Sequence, residues 1–170
     1  MEEIRNKVAE SGLINLDLAR FKPDGNSIAE MDIASQLWQG LVLKEKDFRQ
    51  FVASHDWAAY AGKSIYVHCS ADAIVPTWAY MLVASALQLV GVDFVIGKRE
   101  ELERELIRRK IAELETESFV DGRLIIKGCS DITCPEFAMT ELIRRLQPVA
   151  KSILYGEPCS TLPVFKRKNA

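Results

Sequence analysis

The chain has 170 residues, a length that argues for one folded domain. Hydrophobic residues make up 48% and charged residues 27% of the chain, an ordinary globular composition that excludes a disordered or fibrous protein. The formal net charge of −2 leaves no excess of basic side chains that would indicate a nucleic-acid partner or an anionic membrane surface.

Residues 1–60 are predicted to form helices and one strand that pack on the rest of the chain. A helix is predicted over Glu2 to Ser11, and alternating apolar residues predict a strand over 14–18. Turn residues follow at 22–26. Apolar residues at helical spacing then predict helices over Asp32 to Trp38 and over Glu45 to Ser54. Because the amino-terminal residues lack the apolar core of a secretory signal, a cytoplasmic location is expected.

Residues 61–170 are predicted to repeat a strand, a loop and a helix. The predicted strands cover 64–69, 92–96 and 123–128, and the predicted helices cover 76–90, 98–117 and the segment from Pro135. Short connections between such elements predict an α/β fold with a mostly parallel sheet of three or more strands and right-handed crossovers. Pro76 and Gly91 interrupt the apolar run from 73 to 97, so a buried helix and strand are expected there, not a membrane span. No linker divides the chain, and 1–170 is predicted to be a single domain.

Two stretches, 67–79 and 127–138, resemble each other. Each combines a strand, a Cys-Ser pair, an aspartate four residues before a proline, and an aromatic-alanine pair, with Ala71 taken as an insertion. This alignment makes Cys69 and Cys129 equivalent, at the carboxyl ends of parallel strands, where open α/β sheets bind their ligands. A chance resemblance stays open, because strand–turn–helix units tend to look alike.

Four cysteines are too few for a disulfide scaffold, so they are considered as metal ligands, nucleophiles or buried side chains. Cys159 lies between prolines in a turn-rich tail, whereas Cys134 is interpreted as a small residue at a helix start. Pro148 is predicted to break the last helix, so that 149–155 turns back toward the strand ends. Only such a break, or a neighbouring subunit, would bring Cys159 to the other strand-end cysteines.

Cys69, Cys129 and Cys159, with Asp72 or His68, would form a Cys3Asp or Cys3His ligand set. Such thiolate sets are typical of one zinc or iron ion. Asp72 is the more reachable fourth ligand, because the adjacent His68 and Cys69 side chains of a strand point to opposite faces. The spacing contains no Cys-x-x-Cys pair, so the prediction depends on the positions of these residues in the fold.

Two other functions stay open at this point. The first is a thiol-dependent enzyme that uses Cys69 or Cys129 as its nucleophile. The second is a non-catalytic scaffold protein in which the cysteines are packing residues. The sequence lacks the GxSxG, P-loop and GxGxxG motifs that are typical of serine hydrolases, nucleotide triphosphatases and dinucleotide-binding folds. Whether the chain is an enzyme therefore stays open at this point.

Four motifs carry a resemblance that covers nearly the whole chain. They are Glu45-Lys46-Asp47-Phe48-Arg49, His55-Asp56-Trp57, the run from Cys69 to Met81, and Gly156-Glu157-Pro158-Cys159-Ser160-Thr161. The chain resembles the bacterial domain-of-unknown-function family 2480. This resemblance implies no activity and no catalytic residues, but it implies an association with iron–sulfur assembly proteins. A second copy of the chain, in a homodimer, is a further candidate partner, and no nucleic acid or membrane is expected.

Overall fold

The computed structural model describes residues 12–128, 132–157 and 160–168. Its helices and strands are, in chain order, β1 (Leu13–Asp17), β2 (Ile28–Asp32), β3 (Leu37–Trp38), β4 (Val42–Leu43), α1 (Glu45–Ser54), β5 (Ser64–His68), α2 (Thr77–Leu89), β6 (Asp93–Ile96), α3 (Arg99–Ala112), β7 (Arg123–Lys127), α4 (Pro135–Leu146), β8 (Ser152–Glu157) and β9 (Ser160–Lys166). Short 3₁₀ helices cover Leu18–Phe21, Gly25–Ser27, Ile33–Gln36, Trp57–Tyr60 and Glu117–Phe119.

The residues form two compact units, each with its own sheet. The central unit is Pro23–Glu103, and the terminal unit contains the residues up to Lys22 and from Arg104 onward. The boundary between them falls within α3. The single domain expected from the sequence stays a prediction.

The central unit contains a parallel sheet in the order β2-β5-β6. Ile65 and Val67 of β5 are fully buried in one core with residues of α1 and α2, among them Phe48 and Val83. Because side chains alternate along a strand, the residues between them, including Tyr66, face the other side of the sheet. Helices therefore cover one face of β5, and polar side chains occupy the other.

The terminal unit contains a sheet in the order β1-β7-β8-β9. The first three strands are parallel, and β9 pairs antiparallel to β8. Its core joins Leu124 and Ile126 of β7 to Leu142 and Leu146 of α4, and each of these side chains is buried. This core fixes where β7 and β8 end.

The structure confirms the α/β fold with mostly parallel strands. The predicted strands at 14–18, 64–69, 92–96 and 123–128 correspond to β1, β5, β6 and β7, and the helix over Glu45 to Ser54 is α1 as predicted. The strands, however, divide between two sheets, because β5 pairs with β2 and β7 pairs with β1. The pairing partners come from the first third of the chain, where β2 was not predicted.

Three other expectations differ from the structure, and a fourth concerns residues outside the described ranges. The helix over Asp32 to Trp38 is wrong, because the Asp32 side chain caps a 3₁₀ helix that leads into β3. The long helix of 98–117 ends earlier, at Ala112. The turn-rich tail forms β8 and β9, joined as neighbouring antiparallel strands. The predicted helix from Glu2 to Ser11 lies outside the described residues.

Pro148 has the predicted consequence for the last helix. Helix α4 ends at Leu146, and the chain returns as β8, which runs parallel to β7. The returning segment is a strand instead of a second helix, since Ile153 takes a buried position beside Leu124.

Within the described ranges, no helix is long and apolar enough to cross a membrane.

Candidate functional site

Polar side chains meet at the carboxyl ends of β2 and β5 in the central unit. The Asp32 carboxylate accepts hydrogen bonds from the Ser70 amide at 3.0 Å, the Ser70 hydroxyl at 2.5 Å and the Ala34 amide at 2.9 Å. Burial raises the pKa of Asp32, but these hydrogen bonds and the nearby His68 outweigh it, so the pKa lies below its ordinary value. Asp32 therefore fixes the loop that follows β5.

His68, the last residue of β5, is held by a different partner. Its Nε2 lies 2.6 Å from Oε1 of Glu30 on β2, and its ring lies 5.5 Å from the Tyr66 ring. Tyr66 is also hydrogen-bonded to Glu30; burial and this carboxylate raise the pKa of Tyr66, against the lowering effect of Arg99. The histidine is thus part of a polar network on the sheet face opposite the α1–α2 core.

Cys69 lies between His68 and Ser70 in the chain, and both of these neighbours are held by hydrogen bonds to β2. Its thiol is half-buried and points to the Ala71 carbonyl at 3.7 Å. Tyr80 of α2 is close enough that, after burial, the charges of Cys69 and Asp32 raise the pKa of its phenol. The thiol therefore has a carboxylate and a protonated phenol in its surroundings.

The remaining candidate residues differ in burial and in whether the structure describes them. Asp72 is exposed, and Cys134 is buried directly before α4, in agreement with its interpretation as a packing residue. Cys129 and Cys159 lie outside the described residues. Within 12–128, 132–157 and 160–168, no three His, Cys, Asp or Glu side chains converge as a metal-binding group, so the proposed metal site depends on the two undescribed cysteines.

The strands that precede Cys129 and Cys159 are neighbours in the terminal unit. Strand β7 ends at Lys127 and β8 ends at Glu157, and the two strands are parallel and in register. Lys127 Nζ lies 3.6 Å from Glu157 Oε2, which shows that the two strand ends lie side by side. Each of these residues precedes one of the cysteines by the same short distance along the chain.

The strand registers give a direct comparison of the two similar stretches. Asp32 pairs with His68 in the central unit, and Asp17 pairs with Lys127 in the terminal unit. In both stretches the same number of residues then separates the last residue of the second strand from the proline that leads into the next helix. The stretches therefore align without an insertion.

This register differs from the alignment made from the sequence. Counted from the paired strands, Cys69 matches Gly128. The strand pairing therefore favours an alignment without the insertion at Ala71. The equivalence of Cys69 with Cys129 stays a prediction, because Cys129 lies outside the described residues.

Comparison with known families agrees with the motifs quoted above. The model of a family described as a protein of unknown function, DUF2480, matches residues 2–167. The chain belongs to the DUF2480 family. No curated protein and no solved structure matches this DUF2480 chain, so its candidate site is argued from its own geometry.

Sequence reasoning missed Asp32, Glu30 and Tyr80 of this DUF2480 chain. Their roles arise from contacts with residues far along the chain, such as the bond from Ser70 to Asp32. One signal was present in the sequence: Leu16-Asp17-Leu18-Ala19 and Met31-Asp32-Ile33-Ala34 repeat the same pattern of apolar residue, aspartate, apolar residue and alanine. That repeat identifies both strand-end aspartates.

The lowered pKa of Asp32 leads to an expected pH dependence. Because the folded-state pKa lies below the unfolded value of about 3.9, the contribution of Asp32 to stability is present above that value and is lost as the pH falls through the folded-state pKa. Asp32→Asn should therefore cost stability at about pH 6 and cost less at about pH 3.5. Urea unfolding of both proteins at the two pH values measures this; an equal difference at both would contradict it.

Proposed function

We propose that this protein binds one transition-metal ion, zinc or iron, through cysteine thiolates. Cys129 and Cys159 are the central ligands, and Cys69 with Asp72 or His68 stays the prediction made from the sequence for the rest of the set. Thiolates are soft ligands, and sets of three with one oxygen or nitrogen ligand are typical of zinc and iron sites. The family resemblance suggests iron–sulfur assembly proteins in the cytoplasm as partners.

The observation that supports the proposal is the arrangement of β7 and β8. These strands are adjacent, parallel and in register, and their ends are joined by the ion pair of Lys127 with Glu157. Neighbouring strands of a sheet lie about 4.8 Å apart, a separation that two thiolates of one metal ion can span. Two cysteines that follow such strand ends are suited to share an ion.

The contacts of the fourth-ligand candidates favour Asp72. Nε2 of His68 is bonded to Glu30 at 2.6 Å, so binding a metal through that atom requires the bond to break. Asp72 is exposed. Among the contacts of the described residues, its carboxylate has no hydrogen bond that would have to break before it binds a metal. Carboxylate oxygen is an accepted zinc ligand beside thiolates.

The metal content of the purified chain tests the proposal. The full chain, prepared without a histidine tag, should contain one equivalent of zinc or iron by mass spectrometry of the elements. Cys129→Ala and Cys159→Ala should each lower metal affinity by at least about tenfold, because each removes a direct ligand. Absence of stoichiometric metal from the wild-type chain, or unchanged metal in Cys129→Ala, would overturn the proposal.

Cys134→Ala is the matched control. It also removes one thiol from the terminal unit, but this thiol is buried before α4 in the apolar core. The variant should keep its full metal content and lose only stability. Equal loss of metal in Cys134→Ala and Cys129→Ala would assign the effect to general unfolding.

A further inference from the structure

The two units share one plan of strands, helices and strand-end aspartates. In each, a first strand pairs parallel with a second, the second is followed by a helix with a proline at its start, and the chain returns as a third parallel strand. The third strand begins beside the start of the second in both units, with Ser64 opposite Asp93 and Arg123 opposite Ser152. The same plan and register make residues of one unit comparable with those of the other.

An aspartate ends the first strand in both units and caps a 3₁₀ helix. Asp32 Oδ1 accepts the Ala34 amide at 2.9 Å, and Asp17 Oδ1 accepts the Ala19 amide at 2.9 Å. Both carboxylates also lie against the loop that follows the second strand. Asp32 binds Ser70, and Asp17 is packed so closely on Gly128 that a side chain there would overlap its Oδ1 atom.

In the central unit this loop is anchored on both sides of Cys69. His68 is bonded to Glu30, and the amide and hydroxyl of Ser70 are bonded to the two carboxylate oxygens of Asp32. A residue between two such anchors has little freedom in its backbone dihedrals. The direction of the Cys69 thiol is therefore set by Glu30 and Asp32 of β2, through their bonds to His68 and Ser70.

We infer that Asp32 is the positioning residue for the Cys69 thiol. The role of that thiol as a ligand rests on the proposed function, but its positioning does not depend on a bound metal. Hydrogen bonds to an ionised carboxylate are stronger than neutral ones, so Asp32 holds the loop more firmly than a neutral side chain would. Loss of the hydrogen bonds of this side chain to Ser70 should release the loop and expose the half-buried thiol.

Alkylation of Cys69 tests the inference on the full chain. Iodoacetamide is added near neutral pH, and the modification rate of the Cys69 peptide is followed by mass spectrometry. In Asp32→Ala the rate should rise by about tenfold, because the loop opens more often. Ser70→Ala, which removes only the hydroxyl bond, should raise it by about threefold; this variant keeps the test open if Asp32→Ala does not fold.

Two control variants separate positioning from general stability. Asp24→Ala removes a similar cap, since Asp24 Oδ1 accepts the Asn26 amide at 3.0 Å in the same unit, and its Cys69 rate should equal that of wild type. Asp32→Asn keeps an acceptor oxygen for the backbone amides of Ala34 and Ser70. Its side-chain NH2 can donate to the Ser70 hydroxyl oxygen, which reverses that bond without removing it, so the rate should stay within about threefold of wild type.

The inference is overturned if Asp32→Ala and Ser70→Ala react at the wild-type rate. It is also overturned if Asp24→Ala accelerates alkylation as much as Asp32→Ala does, or if Asp32→Asn reacts as fast as Asp32→Ala. A wild-type chain without metal would instead overturn the proposed function, and the comparison of Cys69 rates between the variants would still test the inference. The two failures are therefore distinguishable.

Discussion

Replacing Gly128 with alanine should destabilise the folded protein by about 3 kcal/mol or more. Gly128 has a φ of +87°, a backbone conformation that costs a residue with a Cβ roughly 1–2 kcal/mol. The added Cβ would in addition overlap Asp17 Oδ1 and lie 3.0 Å from Asp17 Cγ. The loop or the carboxylate must then shift, which adds the cost of overpacking. Denaturant unfolding measures the change.

Gly62→Ala is the matched control for this prediction. Gly62 has a φ of +74°, and an added Cβ there would meet no atom within 4 Å. It should therefore show only the backbone cost of roughly 1–2 kcal/mol. If Asp17 causes the additional loss, Gly128→Ala in an Asp17→Ala background should cost about as little as Gly62→Ala. Equal effects of Gly128→Ala and Gly62→Ala would contradict the close contact.

Phe48→Ala should cost about 3–5 kcal/mol, which is typical of a fully buried aromatic side chain. Phe48 is 1% exposed, and its ring lies 5.7 Å from that of Phe51 and 5.9 Å from that of Trp78. Phe51 belongs to α1 itself, whereas the contact with Trp78 joins α1 to α2, the two helices that cover β5. Removal of the Phe48 ring leaves a cavity that the neighbouring rings can fill only in part. The free energy of unfolding, again measured with denaturant, reports the loss.

Trp38→Ala is the comparison for Phe48→Ala. The side chain of Trp38 is larger than that of Phe48 but is 49% exposed. The partner described for it is Lys44, whose Nζ lies 4.2 Å from the centre of the Trp38 ring. An exposed cation–π contact contributes about 0.5–1 kcal/mol, so this variant should lose no more than about 1 kcal/mol. A loss as large as that of Phe48→Ala would mean that aromatic size, and not burial in the α1–α2 core, determines the effect.

The sequence predicted those elements whose patterns are complete within a short segment. Helix α1 was recognised because Phe48, Phe51 and Val52 recur at helical spacing. Strand β7 was recognised because three apolar residues stand together between charged ones, and all three are buried. In such segments local pattern and final burial agree.

Strands β2 and β9 could not be recognised in this way. In β2, Glu30 and Asp32 interrupt the apolar pattern because they bond to His68 and Ser70, which are far away along the chain. In β9, Pro163 argues against a strand, yet β9 ends the sheet and pairs with β8 alone. A proline is tolerated in such an edge strand.

The candidate site shows the same limit. Cys69 directly follows the end of β5, as the sequence predicts. Its surroundings, however, depend on Asp32 and Tyr80, which only the fold brings near it. The repeated Cys-Ser pair suggests one alignment of the two stretches, whereas the register of the described strands favours an alignment shifted by one residue. Register between distant strands is a property of the folded sheet, and a single sequence does not display it.

Anomalous X-ray diffraction from crystals of the untagged chain, recorded across the zinc and iron absorption edges, tests the central claim most directly. One strong peak is expected, at one of these edges, within bonding distance of the sulfur atoms of Cys129 and Cys159. Well-ordered cysteine sulfurs with no anomalous peak between them, in crystals grown with either metal present, would contradict it.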